Sequence, residues 1–289
     1  MQKHFMAKRY PILSVLLLTG FITHAQGSGP GVRGARAAAL GHASVTLNDV
    51  WAVGNNAAGL GQLSAPTAAV YAENRYLLSA LNTVALAVAA PLGKVENGLA
   101  RRGVVGLEVQ RFGGKLYNEQ RIGAGYGYRG GLVSIGARVD LLQLSIEGLG
   151  SRRAVAVSLG GQAELVPKRL VFGAYLYNLN QAKLAEYQQE RVPTVLKAGL
   201  SYRPTAKVML NIETEKEVEQ SADFKAGVEY RVIDALALRA GLRTLTEETT
   251  GGLGFRAGAL QIDYAAAWHA ALGLSQHLSI GLSFNAKQP

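Results

Sequence analysis

From residue 67 to residue 285 the chain alternates apolar residues with polar or small ones, in units of about 9 to 11 residues closed by Gly, Pro or charged turns. A period of two puts successive side chains on opposite faces of an extended strand, so the pattern fits strands and excludes a helix bundle. The last unit shows it best: Leu278, Ile280, Leu282 and Phe284 share one face, with His277, Ser279, Gly281 and Ser283 on the other. Fourteen such units are read, near residues 67–75, 82–91, 102–112, 119–129, 131–142, 153–165, 169–179, 193–203, 206–215, 222–231, 235–243, 250–257, 259–269 and 277–285. The stretch from Leu77 to Leu92 has a second reading as an Ala-rich helix, against which Asn82, Thr83 and Pro91 weigh. Composition agrees with strands, since 35 of 289 residues are Gly and 48% are hydrophobic; with only 17% charged, the chain is too apolar for disorder.

Alternation alone suits both a soluble sandwich and a membrane barrel, because the two differ in which face meets water. Two further signals favour the barrel. Counted from the C-terminus, every second connection is very short, as at Gly258, 231–234, 203–205, 166–168 and 129–131, which fits periplasmic turns. The connections between them, 244–249, 216–221, 180–191 and 143–152, are longer and polar, and 92–101 breaks the rule. The second signal is that Tyr128, Tyr202, Tyr230, Phe255 and Phe284 share the apolar face near the short-turn ends, and Phe172 follows such a turn, as half of an aromatic girdle would. The predicted fold is therefore all-β: a transmembrane antiparallel β-barrel over residues 66–289, in the bacterial outer membrane. The opposite face carries Glu108, Arg138, Asp140, Lys197, Glu213, Lys225, Glu229, Arg239, Arg256, Asp263 and His269, which then point into the lumen. Neighbouring strands alternate in sign, so an ion-pair network filling the barrel is the simpler reading beside a transport role.

At the N-terminus, Lys3, Lys8 and Arg9 precede an apolar run from Pro11 to Ile22, followed by Thr23-His24-Ala25. This reads as a secretory signal peptide over residues 1–25, too short to span a bilayer, which takes about 20 apolar residues. Its removal takes away three basic side chains and lowers the net charge from +10 to about +7. An exported basic chain meets outer-membrane lipid and lipopolysaccharide, not nucleic acid. With no Cys, the chain has no disulfide framework, thiolate metal site or lipoprotein anchor.

Residues 26–65 do not alternate and are too long for a plain loop, so this stretch is expected to have a packing site of its own. Its pattern is Gly34-Ala35-Arg36, Leu40-Gly41-His42-Ala43, Asp49-Val50-Trp51-Ala52-Val53 and Asn56-Ala57-Ala58-Gly59-Leu60. It resembles the N-terminal region of the long-chain fatty-acid transporter superfamily of outer-membrane proteins, nearest to its PorV/PorQ-like branch. Members of that family typically read Asn-Pro-Ala-Gly-Leu where this chain has Ala57 in place of the proline. The resemblance implies a fourteen-stranded barrel whose N-terminal segment, with Asn56 and Gly59, folds inside as a hatch. It also implies two functions: a passive channel for small hydrophobic molecules, or an accessory or docking component of a type IX protein-secretion system. The N-terminus is then expected on the periplasmic side.

Other motifs carry less. Gly29-Pro30-Gly31-Val32-Arg33-Gly34 matches a dinucleotide-binding glycine pattern but has no strand before it, so no cofactor is expected. His42, His269 and His277 are too scattered for a metal-ligand spacing. His269 and Asp263 share a face but lie roughly 20 Å apart along a strand, so no catalytic set is expected and the chain is read as a non-enzyme.

Overall fold

The structure, a computed structural model, describes residues 29–96, 98–184 and 191–284. The signal-peptide reading of residues 1–25 lies outside the described residues. Fourteen strands close an antiparallel barrel: β1 Thr67–Asn74, β2 Asn82–Pro91, β3 Val104–Gly113, β4 Tyr117–Gly130, β5 Val133–Ile146, β6 Gly150–Val166, β7 Leu170–Tyr177, β8 Val195–Thr205, β9 Val208–Glu217, β10 Asp223–Ile233, β11 Leu236–Arg243, β12 Glu248–Ala257, β13 Leu260–His269 and β14 Gly273–Ser283. Each strand pairs with its sequence neighbour, and β1 closes the ring on β14 through Val70 opposite Ile280. Such closure leaves no strand edge unpaired, as a bilayer requires.

The second unit is a strand over Asn82–Pro91 throughout, which overturns the helix reading of Leu77 to Leu92. Pro91 is tolerated because it ends the strand. β5 and β6 outrun their expected ends, leaving only Glu147–Leu149 between them. Once these strands leave the apolar belt, both faces meet water, so the alternation that marks a membrane strand disappears. The connection 92–103, long where a short turn was expected, folds a small hairpin, Val95–Glu96 with Leu99–Ala100. It buries Ala100 in the same cluster as Val53 and Leu60.

Outward positions form a continuous apolar belt. Leu107, Ile135, Ile212 and Leu196 are more than half exposed, as are Ile122 and Leu253. A patch of that extent on a soluble protein would drive association, and a bilayer is the solvent that fits it. Tyr128, Phe172, Tyr202, Tyr230, Phe255 and Phe284 are all exposed near the short-turn end, while Trp268 and Phe224 stand on the outside near the other end.

Candidate functional site

Residues 29–65 pack inside the barrel. Short helices α1, Ala35–Ala39, and α2, Ala52–Asn55, are followed by a 3-10 turn over Ala57–Gln62. Ala35, Leu40, Val53 and Leu60 are fully buried. An isolated helix of four or five residues is not stable in water, so these turns exist because the wall holds them.

The wall is built to accept backbone. Gly106, Gly136, Gly160, Gly173, Gly199, Gly227, Gly241 and Gly252 all point inward, and several face each other across strand pairs, as Gly136 does Gly160 and Gly227 does Gly241. A Cβ on Gly227 would sit 2.5 Å from Leu40 O, one on Gly173 2.7 Å from Val45 O, and one on Gly136 would fall inside the Ala57–Ala58 peptide. Only glycine lets the inserted chain approach so closely. This inner belt carries the packing, and sequence reading missed it. The signal was present, as one mid-strand glycine at the inward parity of strand after strand.

Polar ties hold the segment in register. Arg33 N–H donates to Asn55 Oδ1 and Asn55 Nδ2 donates back to Arg33 O, both at 2.9 Å. Asn56 Nδ2 donates to Val45 O at 2.7 Å, and its Oδ1 caps the 3-10 turn at Ala58 N–H. That side chain holds the turn at its start, where Ala57 is the first residue. Gly59 is required because a Cβ there would meet Leu47 O. Gly41 N–H donates to Thr250 Oγ1, which in turn donates to Ala39 O.

The predicted lumen charges other than Arg256 and His269 are buried and paired. Arg33 joins Glu108 at 2.8 Å, Glu108 joins Arg138 at 2.7 Å, and Arg138 joins Asp140 at 2.6 Å while donating to Val53 O. Arg36 grips Glu229 through two hydrogen bonds of 2.9 and 3.0 Å; Arg239 joins Glu229 and Asp263, each at 2.7 Å. Glu213 accepts Ser44 N–H and Val45 N–H at 2.7 Å and pairs with Lys225. Lys197 and Lys225 share Glu215. Thus Lys197 pairs with Glu215 rather than Glu213, which the hatch occupies. Arg239 reaches the hatch through Glu229, not directly.

Two predicted lumen residues stand apart. Arg256 is exposed at the short-turn rim and donates to Gln261. His269 is half-buried against the Tyr76 ring and accepts N–H groups of Ala271 and Leu272. Asp263 is held by Arg239 and Gln261, so His269 and Asp263 do not form a dyad.

Toward the long-loop end, the hatch forms the floor of a cavity of about 380 Å³. Tyr71, Tyr76, Phe112 and Val195 line it beside Arg33, His42, Glu73, Asp223, Arg243 and Glu248. Its carboxylates are largely paired: Glu73 with Arg75, Asp223 with Arg243, and Glu248 with His42. Tyr71 OH hydrogen-bonds His277 Nδ1 at 2.8 Å and its ring stacks on the imidazole. Gly29–Arg33 also line this cavity, and Gly29 O accepts from Arg121 near the start of β4. Gly29 thus lies toward the long-loop end, and the described segment runs from there to Pro66 at the short-turn end.

No protein-family model matches the sequence, and no curated protein does. Solved structures do. The monoaromatic hydrocarbon channel TodX, as a deltaS2 mutant, superposes with a TM-score of 0.62 at 13% identity, over 88% of this chain and 97% of that one. The outer-membrane protein Omp33 of Acinetobacter baumannii gives 0.51 at 9% identity, over 78% of this chain and all of that one. At these identities the likeness is one of fold. Together with the apolar belt, it makes this chain a β-barrel of the bacterial outer membrane.

Proposed function

We propose that this protein is a passive, non-enzymatic channel for small molecules, narrowed by residues 29–65. The observation that carries this reading is the cavity of about 380 Å³ inside the wall, floored by the hatch. Side chains alone fill barrels of about eight strands, whereas fourteen strands enclose a wider lumen, and here the hatch leaves part of it open. Pockets of this volume suit small solutes. Tyr76 and Phe112 offer apolar contact in a lining that is otherwise largely charged, and the likeness to TodX, a hydrocarbon channel, supports the small hydrophobic solutes that the family resemblance implies. Reconstituted into liposomes, the full chain should admit a small aromatic probe faster than protein-free vesicles do, and Arg36→Ala, which frees one hatch tie, should raise the rate. No flux in either protein would refute the channel. If the protein instead co-purified with secretion-system components and passed no solute, the docking reading of the PorV/PorQ-like resemblance would replace it.

A further inference from the structure

Four strands running toward the short-turn end carry the same pair, an aromatic followed by arginine, with the arginine within two residues of the strand end: Tyr128-Arg129, Tyr202-Arg203, Tyr230-Arg231 and Phe255-Arg256. Each aromatic lies exposed on the outer face, so alternation sends each arginine inward, one residue beyond the girdle. Side-chain contacts agree. Arg203 donates to Sδ of the buried Met209, Arg256 donates to Gln261, and Arg231 and Arg256 line one cleft with Arg36 at the short-turn mouth. Arg129 is neutralised by Glu164 at 2.8 Å, and Arg36 by Glu229. Arg203, Arg231 and Arg256 have no carboxylate within ion-pair distance among the described residues, and Asp234 in the adjoining turn pairs with none of them.

Register sharpens the point. Arg203 N–H donates to Arg169 O, and Arg231 N–H to Lys207 O, each at 2.7 Å, so neighbouring strands bring like charges alongside one another. Like charges opposite each other are unfavourable unless something anionic sits between them. The cleft also holds Glu229, Asp234 and Asp263, but Glu229 and Asp263 are paired with Arg36 and Arg239, so Arg203, Arg231 and Arg256 leave an excess of positive charge at this mouth. Rings of Arg or Lys are how pores select anions, and a guanidinium binds carboxylate and phosphate alike through its planar fork.

Resting on the channel reading, we propose that Arg203, Arg231 and Arg256 form part of an anion-attracting ring at the short-turn mouth, giving the pore a preference, among small apolar solutes, for those that carry a carboxylate, sulfonate or phosphate. A single cysteine in this cysteine-free chain reads the local potential without any need for conduction. In the full chain in neutral detergent, Ala235→Cys, beside the cleft, should react with an anionic thiosulfonate about tenfold faster, relative to a cationic one, than Thr246→Cys in the opposite cavity. Adding Arg203→Gln, Arg231→Gln and Arg256→Gln together should bring the Ala235→Cys ratio down to the Thr246→Cys value, while Arg231→Lys alone should keep it. Heat-modifiable mobility verifies folding of each variant. In zwitterionic planar bilayers under a KCl gradient, the full chain should show an anion-selective reversal potential that the triple variant loses. An unchanged thiol ratio in the triple variant, or a conducting pore without anion preference, overturns the ring. Absence of conductance with the expected thiol ratios overturns the channel and leaves the ring standing.

Discussion

Glu108 sits between Arg33 of the hatch and Arg138 of the wall, and all three are buried. Removing one member of such a set strands the opposite charges, so Glu108→Ala should cost about 3 to 5 kcal/mol. Glu96→Ala, which breaks an exposed pair with Arg101 at 3.6 Å, should change stability by no more than about 1 kcal/mol. Urea unfolding in lipid vesicles compares the two. Gly136→Val tests the inner belt, because its side chain would enter the Ala57–Ala58 peptide. The expected outcome is a folded barrel with an expelled hatch, seen as new trypsin cleavage at Arg33 and Arg36; a Gly136→Val variant as protease-resistant as the parent would contradict the close packing. Many of the lumen charges were legible in the sequence through parity, though Glu73, Arg121, Asp223 and Glu248 were not read. Their pairing was not legible, because residues two apart on one face, such as Glu213 and Glu215, present the same parity, and Lys225 reaches both while Lys197 pairs with Glu215.

Strand β14 shows what alternation specifies well. Its apolar residues Leu278, Ile280 and Leu282 face outward, and His277 and Ser279 are buried inward, with Ser279 Oγ accepting Ala35 N–H from α1. Ile280→Arg places a charge on the lipid side at the middle of the strand, and should cost roughly 2 to 4 kcal/mol. Loss of heat-modifiable mobility on gels reports that outcome; folding as complete as the parent's would reverse the assignment of the two faces. The ends of elements were less legible. Glu119, Gln120, Gln143 and Arg152 lie in strands whose both faces are polar, where a period of two has nothing to alternate. The hatch helices left no periodic trace either, since Ala-rich turns of four or five residues are shorter than the pattern that would reveal them.

Across the whole molecule, the strand count was legible because lipid outside and water inside impose one rule on every strand. The path of residues 29–65 was not, because its course from the long-loop end to the short-turn end depends on contacts such as Gly29 O with Arg121 that join distant parts of the chain. Orientation in the membrane follows from turn lengths: Thr205 lies at a short turn and Leu149 in the β5–β6 connection at the other end. Cysteine at Leu149 should label with an impermeant reagent on intact cells and cysteine at Thr205 should not; the reverse pattern would invert the barrel. The central claim is that residues 29–65 narrow the lumen. Planar-bilayer conductance of a variant lacking residues 31–62, shown to be folded by heat-modifiable mobility, tests it most directly: the account predicts steps several-fold larger than those of the full chain, and conductance equal to that of the full chain would contradict it.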